Sequence, residues 1–146
     1  MAIVSWKPYD LPVIPLGTNE IGGLASGGLS VASAAIFNDQ GRIYCDIEFV
    51  AGAAMSPLTN AAIDLWMLRS IDGGLSYEDG SASAQPSRDP DVSIPVRAGA
   101  GILPRSGAPQ LVLPPATYKV MIRNRTGTSI PAGSVIRLGV YTEAAT

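Results

Sequence analysis

Histidine does not occur among the 146 residues of this chain. That removes the side chain most used for proton transfer near neutral pH, and the commonest metal ligand. A nucleophile activated by histidine cannot be assembled from this chain alone. Cysteine occurs once, as Cys45, so neither an internal disulfide nor a thiolate zinc cage is available. Charged residues make up 15% of the chain, against about 25% in an ordinary domain. With 47% hydrophobic residues and a mean hydropathy of +0.24, the composition excludes a disordered chain. No apolar run approaches the ~18 residues of a membrane-spanning helix, so no membrane partner is expected. Residues 1–8 (MAIVSWKP) show neither the basic start nor the apolar stretch of a secretory leader, and none is expected. No phosphate-binding glycine loop is present either. The glycines at 22, 23, 27 and 28 have the wrong spacing and follow no predicted strand.

What is abundant is punctuation. There are 16 glycines and 12 prolines, which predict short strands joined by turns. A chain of this length can bury a core without metal or disulfide staples. Residues 1–20 carry Pro8, Pro12 and Pro15 among the apolar Trp6, Tyr9, Leu11, Val13 and Ile14. Such a segment reads as an extended arm. It either folds over its own domain or docks on a neighbour, and proline stiffening lowers the entropy lost in doing so. With the Gly/Ser/Ala hinge at 21–28 it forms a first unit, 1–28, ahead of a domain at 29–146. Deleting residues 1–16 is expected to leave that domain folded and to abolish partner binding.

From residue 29 the pattern has period two. Residues 29–37 predict a small-residue strand, and 42–50 a half-buried strand with Ile43, Cys45, Ile47 and Phe49 inward; the two read as a hairpin. Cys45 is in phase with the core and reads as an inert thiol. Residues 61–69 favour a strand, 75–78 a short strand or loop edge, and 93–97 an edge strand containing Pro95. Residues 80–92 and 98–109 read as long loops, followed by a short strand at 110–113. Residues 117–125 place Tyr118, Val120 and Ile122 inward with Lys119, Arg123 and Arg125 outward; 134–141 supplies a last strand. The fold class predicted is all-β, a two-sheet β-sandwich or jelly roll with an extended Pro-rich N-terminal arm.

Charge is unevenly spread along the chain. Residues 1–91 hold eleven acids and four bases, whereas 92–146 hold six bases and one acid, Glu143. Either the fold interleaves the halves, or copies meet acidic face on basic face through side chains such as Arg97, Arg105, Arg123 and Arg125. Arginine suits such pairing. Nucleic acid is not an expected partner, because the basic half lacks clustered lysines and aromatics and the pI is about 4.9.

Other candidates have weaker signals. Asp72, Asp79, Asp89 and Asp91 lie in Gly/Ser/Pro-rich stretches and could offer oxygens to calcium, but their spacing fits no calcium loop. No pair of carboxylates is placed for glycoside hydrolysis. Trp66 reads as core, and Trp6 as an anchor. Asn124-Arg125-Thr126 matches a glycosylation sequon and is disregarded without a leader. No catalytic residue, metal or cofactor is expected.

The segment LPPATYKVMIRNRTG at 113–127, followed by IPAGSVIRLGVYTE at 130–143, resembles the closing hairpin of small virion proteins of tailed bacteriophages. With Ile71-Asp72-Gly73-Gly74 and Tyr77-Glu78-Asp79-Gly80 ahead of it, residues 29–143 resemble the jelly-roll head-decoration (cement) proteins. The resemblance implies a structural subunit on the phage head surface, made in the host cytoplasm, that binds the major capsid protein over subunit junctions. It implies further copies of itself as partners, as dimer or trimer, and no catalysis. A tail- or fibre-associated β-sandwich that binds carbohydrate or a receptor has the same composition and is the alternative expectation.

Overall fold

The computed structural model describes residues 4–6, 13–38, 41–113 and 117–145. Ten strands and one short helix are assigned: β1 Val4–Trp6, β2 Val13–Leu16, α1 Thr18–Ile21, β3 Ile36–Phe37, β4 Tyr44–Val50, β5 Ala62–Arg69, β6 Val92–Pro95, β7 Arg105–Val112, β8 Thr117–Arg125, β9 Val135–Tyr141 and β10 Glu143–Ala145. The pairing is nested. β1 pairs with β10, β2 with β9, β3 with β8, β4 with β7 and β5 with β6, all antiparallel. The chain is therefore one long hairpin rolled up on itself. Two further pairings, β4 with β9 and β5 with β8, close it into sheets of order β2-β9-β4-β7 and β3-β8-β5-β6. This is the strand order of an eight-stranded jelly roll, extended by the outer β1–β10 pair.

Between the sheets lies one core. Cys45, Ile47 and Phe49 of β4 and Ile136 and Leu138 of β9 meet Ile63, Leu65 and Met67 of β5 and Tyr118, Val120 and Ile122 of β8. Alternation in these strands sends every second residue inward, as period two requires. A second cluster, Trp66, Leu68 and Met121, sits on the outer face of the β3-β8-β5-β6 sheet under Leu29, Ala32 and Tyr77. Strand β5 is therefore buried on both faces. Trp66 is a packing residue as expected, but of this outer layer, and its Nε1 donates to the Arg88 carbonyl at 3.0 Å.

Where the backbone ladder runs out, side-chain oxygens continue it. Residues 29–35 do not form the strand expected of them. They run beside β8, where Ser30 and Ser33 donate their amides to the Ile122 and Val120 carbonyls. In return the Ser30 and Ser33 hydroxyls accept the Ile122 and Val120 amides at 3.0 and 2.9 Å. Their spacing of three residues against two on β8 rules out ordinary register, and the hydroxyls bridge the mismatch. Asp91 does the same for Met67, whose amide donates to its carboxylate at 2.6 Å one step beyond the β5–β6 pairing.

Other expectations need correction. The 29–37 and 42–50 segments do not form a hairpin: β3 and β4 lie in different sheets, and the connection between them is a crossover. Asn38 brackets that connection, accepting from the Arg42 amide at 2.9 Å and donating to the Arg42 carbonyl at 2.7 Å. Arg42 is consequently buried, and Ile43, expected inward, is 46% exposed. Of the two readings of residues 75–78, the loop edge holds and the strand does not. The expected loop at 98–109 ends at Pro104, because β7 begins at Arg105 and runs through Gly107 and Pro109. An edge strand tolerates both.

Each edge of the two four-stranded sheets is blunted. β2 contains Pro15, β6 contains Pro95, β7 contains Pro109, and β3 is two residues long. Proline and short length at an edge suppress pairing with another chain. Residues 13–28 are built into the sandwich. Leu16 and Ile21 are fully buried, and Gly23 and Gly27 donate to the Ile130 and Asn124 carbonyls. Removing residues 1–16 would take away β2, its pairing with β9 and the buried Leu16, so the boundary at 28 does not separate an arm from the sandwich. Val13 packs against the core, Ile14 on the same strand is 52% exposed, and Trp6 pairs through its backbone with Glu143. Tyr9 and Leu11 lie outside the described residues.

Candidate functional site

The strand directions give the jelly roll two poles. One carries the β3–β4 and β5–β6 connections and the ends of β7 and β9; the other carries the connections after β2, β4, β6 and β8. At the first pole, the β5–β6 connection (70–91) folds back over the outer sheet face and is fastened there by Arg88. Its guanidinium donates to the Met67 carbonyl at 2.8 Å and to Glu78 at 2.9 Å, and pairs with Asp91 at 2.9 Å. Glu78 in turn donates its amide to the Arg69 carbonyl. Lys119 stands 4.4 Å over the Tyr77 ring.

The fastening projects a tight tip at residues 70–76. Asp72 accepts from the Ser70 hydroxyl at 2.7 Å, the Leu75 amide at 3.0 Å, the Ser76 amide at 2.9 Å and the Ser76 hydroxyl at 2.5 Å. The Ser76 hydroxyl and amide, then the Ser70 hydroxyl and Leu75 amide, hold its carboxyl well below the usual carboxylate range. Gly74 donates to the Ser70 hydroxyl at 2.8 Å, and Gly73 and Gly74 take the positive φ that the turn needs. The network orders a tip whose large side chains are not buried. Ile71 is 100% exposed and Leu75 89%. Phe37, Ile43 and Val112 are exposed at the same pole, with Phe37 and Ser70 both joined to Thr117.

Of the acids weighed for calcium, Asp72 serves the tip, Asp91 serves Arg88 and Met67, and Asp79 accepts from the Ser87 hydroxyl. Among the described residues no group of three His, Cys, Asp or Glu side chains is gathered to hold a metal ion. Asn124 of the sequon is fully buried. Its amide nitrogen donates to the Leu24 and Thr128 carbonyls, and its oxygen accepts from Thr126.

The four arginines singled out in the basic half are not gathered together. Arg125 pairs with Asp64 through its Nε at 2.5 Å and Nη2 at 2.9 Å, and Arg105 pairs with Glu48. Arg123 donates to Gln85 at 3.0 Å, and Arg97 is exposed beyond the end of β6. Bases of the second half thus meet acids of the first within one chain. Burial pushes the Asp64 carboxyl up, but hydrogen bonds from Arg125 and Ser93 and the charges of Arg125 and Arg123 outweigh it and hold it low.

The tip residues Ile71 and Leu75 were not legible as a site in the sequence. The one signal was two aliphatics flanking an Asp-Gly-Gly turn, a place where large apolar residues have no packing role. Set against models of protein families, curated proteins and solved structures, the chain matches none of them.

Proposed function

We propose that the protein is a structural virion subunit of a tailed bacteriophage, a cement protein that binds over junctions of the major capsid protein and stabilises the head. The observation that carries this reading is the tip at 70–76: two fully presented aliphatics on a loop pre-ordered by Asp72 and clamped by Arg88. Ordering before contact lowers the entropy lost on binding, so such a tip acts as an anchor. The ionisable groups around it are engaged in holding the loop, which suits adhesion. Asp72 lies within the tip and the rest of the 70–91 loop carries Glu78, Asp79, Asp89 and Asp91, so a capsid junction offering an apolar slot with a basic rim would complement it. The resemblance of residues 29–143 to jelly-roll decoration proteins points the same way. The test is heat stability of phage heads with and without the protein. Heads lacking it are expected to release DNA at a lower temperature and to recover on its addition; no difference would refute the role.

A second reading, a tail- or fibre-associated carbohydrate-binding module, has one observation in its favour. Tyr44 and Tyr141 are half-buried on the outer face of the β2-β9-β4-β7 sheet, with ring centroids 5.7 Å apart and tilted by 33°. Saturable binding on a glycan array, lost in Tyr44→Ala, would favour it over the first.

A further inference from the structure

The 70–91 segment has an apolar floor of its own and almost no main-chain hold on it. Trp66, Leu68 and Met121 form a cluster separate from the core between the sheets. The segment lies directly on that cluster. A Cβ on Gly80 would stand 3.0 Å from the Pro86 Cγ, 3.2 Å from the Met121 Sδ and 3.5 Å from the Leu68 Cδ1. Yet among the described residues, 71–90 make one main-chain hydrogen bond to the sheet, from the Glu78 amide to the Arg69 carbonyl. Side chains supply the rest. Trp66 donates to the Arg88 carbonyl and Arg88 to the Met67 carbonyl. Lys119 covers Tyr77, Arg123 donates to Gln85, and Arg69 stands 4.0 Å from Asp91. The sheet thus presents cations to a segment bearing Asp72, Glu78, Asp79, Asp89 and Asp91. The Arg88 and Glu78 side chains are 33% and 36% exposed, so water reaches the clasp.

One carboxylate oxygen joins this fastening to the tip. Glu78 Oε2 accepts from the Arg69 amide at 3.2 Å and from Arg88 Nε and Nη2 at 3.2 and 2.9 Å. Because the Glu78 amide also donates to the Arg69 carbonyl, residues 69 and 78 close the base of the tip at 70–76. We propose that the 70–91 segment is a latch: Arg88 closes it, it opens without unfolding of the sandwich, and the tip keeps its shape only while it is closed. Few main-chain bonds and a solvent-reached clasp characterise segments that open below the free energy of global unfolding. Opening uncovers Trp66, Leu68 and Met121, and the exposure of that apolar area keeps the closed form dominant. Arg88 is a positioning residue for the tip, acting through Glu78. The coupling is reciprocal: whatever holds the tip in its closed shape tightens the latch over Trp66, and loosening the tip loosens the latch. The latch is read out on the purified chain, so it is judged apart from the cement reading.

The experiment is hydrogen exchange of the full chain by NMR, followed at the Trp66 Nε1 proton, the Glu78 amide and the amides of the β4–β9 ladder. Trp6→Phe assigns the indole signals. In the wild-type chain the Trp66 proton is expected to be protected less than the ladder. Arg88→Met keeps an unbranched apolar stem and removes the guanidinium. It is expected to speed exchange of the Trp66 and Glu78 protons by a common factor of about 10 to 100, the scale of losing hydrogen bonds to charged groups, and to leave the ladder unchanged. Asp72→Ala loosens the tip and is expected to speed the Trp66 proton about 5-fold or more. Arg105→Met breaks the pair with Glu48 on the other sheet and is expected to leave the Trp66 and Glu78 protons unchanged. A wild-type Trp66 proton protected as well as the ladder would overturn the latch, because segment and sandwich would then open together. So would an Arg88→Met chain in which neither proton or only one is faster, or in which the ladder speeds equally. A Trp66 proton indifferent to Asp72→Ala, or speeded by Arg105→Met, would overturn it too.

Discussion

Ser33 and Val120 exchange two hydrogen bonds like residues of paired strands, yet one of the two acceptors is a side chain. The Ser33 amide donates to the Val120 carbonyl at 2.8 Å, and the Val120 amide donates to the Ser33 hydroxyl at 2.9 Å. The hydroxyl in turn donates to the Ala34 carbonyl at 2.7 Å. Ser30 repeats the arrangement against Ile122. Both amides served are buried, so losing the acceptor leaves a donor without water or protein. Ser30→Ala and Ser33→Ala are each expected to lower stability by about 1–3 kcal/mol in urea unfolding. Variants as stable as wild type would show that residues 29–35 do not complete the sheet.

Gly52 lies back to back with the turn before β9. A Cβ there would come within 2.2 Å of the Gly133 carbonyl carbon and 2.3 Å of the Ala132 oxygen, both main chain. Backbone on both sides leaves no flexible group to give way. Gly52→Ala is expected to cost about 1–3 kcal/mol, the scale of overpacking. An unchanged urea midpoint would contradict the close approach.

Asp64, paired with Arg125, has a carboxyl pKa below its ordinary value, so its stabilising effect is present above the unfolded pKa of about 3.9 and is lost as pH falls through the folded value. Unfolding followed between pH 2 and pH 6 is expected to show wild-type stability dropping at the acid end, with a shallower drop in Asp64→Asn. Parallel curves would show that the pair does not contribute to acid sensitivity.

Cys45 is fully buried, and burial, then the charge of Asp46, pushes its thiol up to about 12. Iodoacetamide at pH 8 is expected to label it only as fast as the protein opens, and rapidly in urea. Fast labelling in native buffer would place the thiol at the surface.

The sequence disclosed the strands whose side chains alternate between core and solvent. β4 from Tyr44 and β8 follow the inward and outward phases expected of them, and β9 falls where a last strand was expected, because burial on one face imposes period two. β7 was hidden. Gly107 and Pro109 read as breakers, and an edge strand with one unpaired side accepts them. The 29–37 segment misled in the other direction, since alternation of small residues does not reveal that serine hydroxyls take over the ladder. Nor does period two say which sheet a strand joins, so a crossover through Asn38 and Arg42 looked like a hairpin turn. The poles were invisible for a related reason. Charge sorted by halves of the sequence is re-sorted by the rolled hairpin, which pairs Arg125 with Asp64.

The central claim is that this chain works by adhesion through the Ile71 and Leu75 tip. Its most direct measurement is cosedimentation of the purified protein with phage heads that lack it. Saturable binding at a fixed number of copies per head is expected, weakened about 100-fold in a folded I71S/L75S variant. Absence of binding to heads, or equal binding by that variant, would contradict the account.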